Sequence, residues 1–191
     1  MRQFICAALM AGLVGISAPA MAKGDKYLDA LNVQLGYREA TSYAVNAEKR
    51  GIDVGIEPID KDGMQRLLGN DTKKFRPYDV AITNNSQFRI YINQITIVHA
   101  GTQQAFAWVD LDGVVDAIDP GGRGNKDDMR GAALRNNVID KALAHGVVAP
   151  GETVQGIVFV KAKYRDEGAA LFLQIQNLKR VAFLDFTLAL K

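Results

Sequence analysis

The stretch Pro77–Ala100, "PYDVAITNNSQFRIYINQITIVHA", decides the fold of this chain. On both sides of the triplet Asn84–Ser86, bulky apolar residues recur at every second position, the spacing that sends successive side chains to opposite faces of a sheet. Asparagine and serine tolerate turn conformations, so the triplet is a natural connection. The stretch therefore predicts two strands joined by a turn. The inward-facing residues are Tyr78, Val80 and Ile82 in the first strand, and Phe88, Ile90, Ile92, Ile95 and Ile97 in the second.

The second of these strands changes phase in its middle. Ile92 and Ile95 are separated by Asn93 and Gln94, which is one residue more than strict alternation allows. A β-bulge absorbs one extra residue and bends the strand. We predict a bulge at Asn93-Gln94.

The same alternation recurs along most of the chain. Pro150 and Gly151 suit the two central positions of a type II turn over Ala149–Glu152, after which Thr153 starts a strand. Seven or more short strands separated by turn residues predict a mainly β fold, an antiparallel β-sandwich. The further strand candidates are "GIDVGIEPI" from Gly51, "AFAWVDL" from Ala105, "VQGIVFVKA" from Val154, "AALFLQIQN" from Ala169 and "VAFLDFTLAL" from Val181.

Two segments have helical spacing instead and predict short helical insertions in the sandwich. The first is 60–71, in which Asp60 or Asp62 can serve as the N-cap and Gly69 can end the helix. The second lies near 125–145, where Leu134, Val138 and Ala142 form one apolar stripe.

The region 23–50 is ambiguous. It reads as a strand through Leu31, Val33, Leu35 and Tyr37 followed by a short helix up to Arg50. The alternative is a helix using Leu28, Leu31 and Leu35. We favour the strand followed by the short helix.

The first 22 residues have the layout of a secretory signal peptide. Arg2 precedes an uncharged apolar run, and the triplet Ala20-Met21-Ala22 predicts cleavage before Lys23. The run is shorter than the roughly 20 residues that a spanning helix needs, which disfavours a membrane anchor. We therefore expect a periplasmic or secreted protein. Its parts would be a signal peptide (1–22), an N-terminal extension packed on the domain (23–50) and a β-sandwich domain (51–191).

Composition narrows the function classes. Cys6, the only cysteine of the 191 residues, lies in the predicted leader, so the mature chain would have no disulfide and no thiolate chemistry. The chain has 23 basic and 21 acidic side chains, so it lacks the strongly basic character typical of nucleic-acid binding. We predict no nucleic-acid partner and no cofactor.

The order of three motifs resembles small exported bacterial immunoglobulin-like domains. These motifs are the strand pair around "TNNS", the turn and strand "VVAPGETVQGIVFV", and the final strands "LFLQIQN" and "FLDFTLAL". The resemblance covers roughly 52–190 and implies an immunoglobulin-like sandwich, and the long helical insertion departs from a minimal version of that fold. Such domains mostly act in envelope assembly, in adhesion or as accessory modules, and the resemblance implies no catalytic residue.

The sequence offers few groups for catalysis or metal binding. His99 and His145 are its two imidazoles, and neither has a neighbour diagnostic of a site, so we predict structural or solvent-facing roles. The acidic series Asp110, Asp112, Asp116 and Asp119 lacks the glycine and glutamate spacing of an EF-hand, which leaves only a looser oxygen-ligand site as an alternative. We predict no metal centre.

The 28 residues from Asp119 to Gly146 form the best candidate for a partner surface, because long insertions on a rigid scaffold often carry binding. Alternatively, the helix in this segment only packs against the sandwich. The candidate partner-binding residues on its outer face are Arg130, Arg135, Asn137 and Lys141.

We therefore predict a noncatalytic interaction or accessory module of the bacterial cell envelope, with an envelope protein as its partner. The alternative is a sandwich that binds a small ligand or a glycan by stacking it on Tyr91 or Trp108. Ordinary core packing is the other explanation for Trp108, since large aromatic side chains dominate cores. A hydrolase is disfavoured by the shortage of histidine and cysteine.

Overall fold

The structure is a computed structural model that describes residues 35–68, 75–106, 111–118, 136–166, 168–178 and 181–190. The predicted signal peptide and its cleavage site lie outside these residues. Within them, no helix is long and apolar enough to cross a membrane. The strands are β1 (Val45–Lys49), β2 (Ile52–Pro58), β3 (Phe75–Asn84), β4 (Ile90–His99), β5 (Val147–Val148), β6 (Thr153–Lys161), β7 (Ala169–Asn177) and β8 (Phe183–Ala189).

The described helices are short. They are α1 (Lys61–Leu68), α2 (Leu111–Ile118), α3, of which residues 136–141 are described, and α4 (Ala162–Asp166), together with a 3-10 turn at Ala40–Ser42. Helix α1 confirms the first predicted insertion. The Asp60 Oδ1 atom accepts a hydrogen bond from the backbone N–H of Gly63 at 2.6 Å, so Asp60 is the N-cap.

The strands form two four-stranded sheets, and every strand pairing within them is antiparallel. The first sheet has the order β1-β2-β3-β6 and the second has the order β5-β4-β7-β8. The predicted antiparallel β-sandwich is confirmed. Apolar side chains of the two inner faces form one core, which includes Val54, Val80, Ile92, Leu171 and Leu173.

The bulge and the turn predicted from sequence are both present. The pairing of β4 with β7 shifts register between Ile92 and Gln94, which returns Ile95 to the core. In the turn, the N–H of Glu152 donates to the carbonyl of Ala149 at 3.1 Å, and Gly151 has a φ of 76°. This is the positive φ that a type II turn requires at its third position.

Asn84 joins the two turns on which the sequence resemblance rests. Its fully buried side chain donates to the carbonyls of Phe88 at 2.8 Å and Val148 at 3.1 Å. Its backbone carbonyl accepts a hydrogen bond from the N–H of Gly151 at 2.7 Å, and its backbone N–H donates to the carbonyl of Glu152 at 2.9 Å. One asparagine therefore fixes the end of β3 against the start of β6.

Several sequence predictions are wrong. Phe88, predicted to face the core, precedes β4 and is 71% exposed. The helix predicted up to Arg50 is instead strand β1, which pairs with β2 along its whole length. Arg50 and Gly51 have φ values of 54° and 77°, the conformation of a two-residue hairpin turn. Of the strand predicted from Ala105, residues 107–110 lie outside the described residues, Ala105 forms an isolated bridge with Val98, and Leu111 already belongs to helix α2.

Helices and an N-terminal segment cover the outer face of the first sheet. Side chains from α1, α2 and α3 pack with residues of β3 and β6 in a second apolar cluster. The members of this cluster are Met64, Phe75, Val114, Val115, Val138, Ile157 and Phe159, with Leu35, Ile59 and Leu111 packed against them. The central strands β2 and β3 of the first sheet are consequently buried on both faces, whereas the edge strand β1 is largely exposed.

The residues that follow α3 connect the two sheets. The N–H of Leu143 donates to the carbonyl of Ile157 in β6 at 3.0 Å, and the carbonyl of Gly146 accepts from the N–H of Ile92 in β4 at 2.9 Å. The helix predicted near 125–145 is therefore wrong at its C-terminal end, because residues 142–146 leave the helix to bridge β6 and β4.

Candidate functional site

Three rows of side chains on the outer face of the second sheet include residues exposed to solvent, and we call these rows the open face; the next row on the same face, Val98 and Ala170, is buried. Because partners across a sheet lie on the same face, the pairings align Tyr91 with Gln176 and Phe183, Gln94 with Gln174 and Asp185, and Thr96 with Phe172 and Thr187. Val147 of β5 extends the first row. Five of these ten side chains are exposed, and they are Gln94, Val147, Phe183, Asp185 and Thr187.

A chain of hydrogen bonds crosses the centre of the open face. The Gln176 amide donates to Asn93 Oδ1 at 3.2 Å, the Asn93 amide donates to Gln174 Oε1 at 2.7 Å, and the Gln174 amide donates to Asp185 Oδ1 at 3.1 Å. On β4, the Gln94 amide donates to Thr96 Oγ1 at 3.0 Å. Each primary amide has two N–H groups and a carbonyl, so this chain holds the amides in place with further bonding capacity left over.

The face has little charge. Asp185 is the only acidic or basic residue in the three rows. Tyr91 and Phe183 flank the buried Gln176 and are separated by two inter-strand spacings, about 9.5 Å. Phe183 is 51% exposed, so its ring is available to a ligand.

A second polar arrangement lies on the outer face of the first sheet, where it fastens the N-terminal segment. We call it the clamp; its members are Arg38, Ala40 and Tyr43 on the segment and Glu57, Asp79, Thr83 and Gln155 on the sheet. The Tyr43 hydroxyl donates to Asp79 Oδ2 at 2.9 Å, and the Gln155 amide lies 3.1 and 3.0 Å from the two Asp79 oxygens. Arg38 forms a bidentate ion pair with Glu57, in which Nη1 donates to Oε1 at 2.7 Å and Nη2 donates to Oε2 at 3.1 Å.

Burial shifts the pKa values of two side chains in the clamp, Asp79 and Tyr43. The Asp79 side chain is 8% exposed, and this burial raises its pKa, although the hydrogen bonds from Gln155 and Tyr43 oppose the rise. Burial and the nearby Asp79 charge also raise the pKa of Tyr43. The hydrogen bond to Glu57 raises the pKa of Arg38, whose guanidinium lies 4.1 Å from the centre of the Tyr43 ring. Carboxyl groups with a shifted pKa often mark active sites, but here the donors that satisfy Asp79 hold the segment on the sheet.

A small apolar cavity lies beside residues 142–143, at the edge of the sandwich where this segment bridges β4 and β6, and Thr96, Ile157 and Phe159 of the outer faces also line it. Its volume is about 80 Å³, and Ile95, Ile97, Leu143 and Val158 contribute to its wall. An apolar cavity of about 150 Å³ accommodates one benzene. The cavity is therefore too small for a ligand of ordinary size.

The structure describes only part of the partner surface predicted on the insertion, and it contradicts the predicted position of one residue of that surface. Arg130 and Arg135 lie outside the described residues. Asn137 is 3% exposed, so the prediction that it lies on the outer face is wrong. Lys141 is half-buried, its ammonium donates to Asn137 Oδ1, and burial lowers its pKa. Val138 packs in the apolar cluster on the first sheet, so the packing alternative is confirmed for this residue.

The other predicted residues are distributed over the fold. Tyr91 lies on the open face, whereas Trp108 lies outside the described residues. His99 Nδ1 is 3.2 Å from the N–H of Gly101 and accepts from it, and His145 Nδ1 is 3.2 Å from the carbonyl of Ile92. The two imidazoles are therefore about 20 Å apart along β4 and serve local structure.

Of the acidic series, Asp110 and Asp119 lie outside the described residues, and Asp112 and Asp116 belong to α2. Among the side chains that the structure describes, no three His, Cys, Asp or Glu groups converge to hold a metal ion.

Sequence reasoning missed both the amide centre of the open face and the clamp. The alternation in "LFLQIQN" places Gln174 and Gln176 on one face, and that pattern could have indicated the amide row. No sequence signal joins Tyr43 to Asp79, because only tertiary folding brings them together.

The chain matches no family model, and no curated protein matches it in sequence.

Proposed function

We propose that this chain is a noncatalytic interaction module of the bacterial cell envelope and that the open face is its contact surface. One observation carries the proposal: the two sheets are covered unequally. Helices and the N-terminal segment bury the outer face of the first sheet, whereas the open face presents Phe183, Val147 and a bonded row of amides to solvent. An exposed face whose side chains hold one another in place is suited to binding, because little rotamer freedom remains to be lost.

The strand order supports the immunoglobulin-like assignment. Strands β2, β3 and β6 correspond to A, B and E of an immunoglobulin sheet, and β5, β4, β7 and β8 correspond to C′, C, F and G of the other sheet. Strand β1 is an addition at the edge of the first sheet. Together with the leader-like first 22 residues, this order favours an exported domain that acts in the periplasm or outside the cell.

Site-specific photocrosslinking in the native cell tests the proposal. A photoreactive residue replaces Thr187 on the open face in one variant and the exposed Gln65 of α1 in the control. We expect crosslinked adducts from position 187 and few from position 65. Adducts from position 65 alone would move the contact surface to the helical side of the first sheet.

A further inference from the structure

We infer that the open face binds an uncharged saccharide chain, an assignment that rests on the proposed function and specifies its ligand. A pyranose ring has an apolar C–H face and a rim of hydroxyl groups that both donate and accept hydrogen bonds. A site for such a ring therefore needs an aromatic surface beside groups that can donate and accept at fixed positions. The open face combines both, with Tyr91 and Phe183 on either side of Gln176.

The hydrogen-bond chain gives the amides fixed orientations. Asn93 and Gln174 each donate and accept within it, and one N–H of each amide remains to be directed at a ligand hydroxyl. Because the chain ends on Asp185 Oδ1, it also leaves the second carboxylate oxygen as a strong acceptor for a sugar hydroxyl.

The charge of the face selects against other ligands. Nucleic acids, phosphate headgroups and acidic polysaccharides need cations, whereas the three rows contain no basic residue and one acidic residue, Asp185. A protein partner would bury an apolar or aromatic centre with a polar rim. Here the central row, Gln94, Gln174 and Asp185, is polar and the apolar residues lie outside it, so a hydroxylated ligand fits this distribution better.

The register indicates a ligand that runs across the strands. The aromatic side chains of the first row are Tyr91 on β4 and Phe183 on β8, with Val147 beyond Tyr91 on β5. This row crosses three inter-strand spacings, about 14 Å, which is longer than one monosaccharide. An oligosaccharide therefore fits better than a free sugar.

Titration followed by NMR tests this inference, because the side-chain amide signals report directly on the proposed contacts. The probes are chitohexaose, cellohexaose and maltohexaose, with hexagalacturonate as the anionic comparison. We expect at least one neutral hexasaccharide to shift the side-chain amide signals of Asn93, Gln94 and Gln174. Hexagalacturonate should bind about tenfold more weakly or not at all, because Asp185 repels it.

Matched variants separate binding from folding. Tyr91→Ala should weaken the binding about tenfold or more, as expected for an aromatic contact residue, and Gln94→Ala, at an exposed position, should weaken it without affecting the fold. Tyr37→Ala is the control, since Tyr37 is 70% exposed and its hydroxyl bonds Thr153 of the first sheet. Binding that survives both Tyr91→Ala and Gln94→Ala in folded protein would overturn the assignment.

The outcome also separates this inference from the proposed function. If none of the neutral hexasaccharides shifts the amide signals and photocrosslinking at position 187 captures a protein, the saccharide assignment is wrong and the interaction module stands. If neither experiment detects a ligand at the open face, both are wrong.

Discussion

Gly55→Ala should undock the N-terminal segment from the first sheet. Gly55 lies on the outer face of β2, directly beneath the clamp. A Cβ atom there would lie 2.3 Å from the carbonyl oxygen of Ala40 and 2.8 Å from Cγ of Tyr43. Both contacts are far inside van der Waals distance. Rotating the end of a flexible side chain cannot relieve either contact. One atom belongs to the backbone, and the other is Cγ of Tyr43, which joins the buried ring to its Cβ atom.

The expected magnitude follows from two opposing terms. Forcing an extra carbon into a packed region costs about 1–3 kcal/mol. Replacing glycine by alanine also restricts the unfolded chain, which returns about 0.4–1 kcal/mol. These terms bracket a net loss of about 0–2.6 kcal/mol, and because both contacts lie far inside van der Waals distance we expect the free energy of unfolding to fall by about 1–2 kcal/mol. If the segment detaches instead of straining the sheet, the cost is the loss of the clamp: the burial of Tyr43, its hydrogen bond to Asp79, the hydrogen bond from the Ala40 N–H to Thr83 and the Arg38–Glu57 ion pair.

Urea unfolding measures this loss, with Gly36→Ala as the matched control in the same segment. A Cβ atom at Gly36 would meet nothing within 4 Å. With a slope of about 2 kcal/mol per molar urea, the midpoint of Gly55→Ala should fall by about 0.5–1 M, and that of Gly36→Ala should stay the same or rise slightly. Limited proteolysis before β1 should also become faster in Gly55→Ala. Equal midpoints for the two variants would show that Ala40 does not rest on β2 and would refute the reasoning.

Three further outcomes are expected. Gly156→Ala should destabilise the protein by about 1–3 kcal/mol in urea unfolding, because its Cβ would lie 2.5 Å from Cα of Leu143; stability equal to that of the wild type would contradict this contact. Burial raises the pKa of Asp79, so the folded state binds the Asp79 proton more tightly than the unfolded state does. The stability that this group contributes is therefore present at low pH and is lost as the pH rises through the folded pKa. The stability of the wild type relative to Asp79→Asn should thus increase from pH 7 to pH 4, and a pH-independent difference would exclude this linkage. Intact mass of the exported protein should show Lys23 as the first residue, whereas a retained leader would contradict the export prediction.

The regular part of the sandwich could be predicted from sequence because its strands carry their own pattern. In β4, the apolar residues that face the core are all isoleucine, and the single break in their spacing falls at the observed bulge. The turn at Ala149–Glu152 was readable for a similar reason, since Pro150 and Gly151 meet conformational requirements that few other residues meet. Where residue spacing or backbone conformation strictly limits the residues allowed, the sequence alone is enough to predict the local structure.

The N-terminal part could not be predicted because its pattern is weak. Strand β1 reads Val-Asn-Ala-Glu-Lys, which contains one β-branched residue, and alanine, glutamate and lysine favour helices. It is a strand because pairing with β2 overrides these local preferences. Helix α2 was missed for the opposite reason: Leu111, Val114 and Val115 have helical spacing, but the apolar residues just before them suggested a strand.

The candidate site could be predicted only in part. Tyr91 was identified as a stacking residue, but its relation to Gln176 and Phe183 depends on the register of three strands. A shift of one residue in any pairing would move these side chains to opposite faces. Single-strand alternation shows which residues share a face, whereas the tertiary pairing decides which of them become neighbours.

The clamp and the open face are two solutions to one physical problem. Antiparallel sheets place alternate side chains outward, and a polar side chain in that position must find water or a partner. On the first sheet the chain covers its own outer face, so Asp79 loses water and must be satisfied internally by Tyr43 and Gln155. On the second sheet the polar groups of Gln174 and Asp185 stay accessible, and a ligand that replaces water there must offer hydroxyl groups of its own. An apolar ligand would leave these groups unsatisfied at a cost of about 1–3 kcal/mol each, which is why the amide row favours a hydroxylated partner.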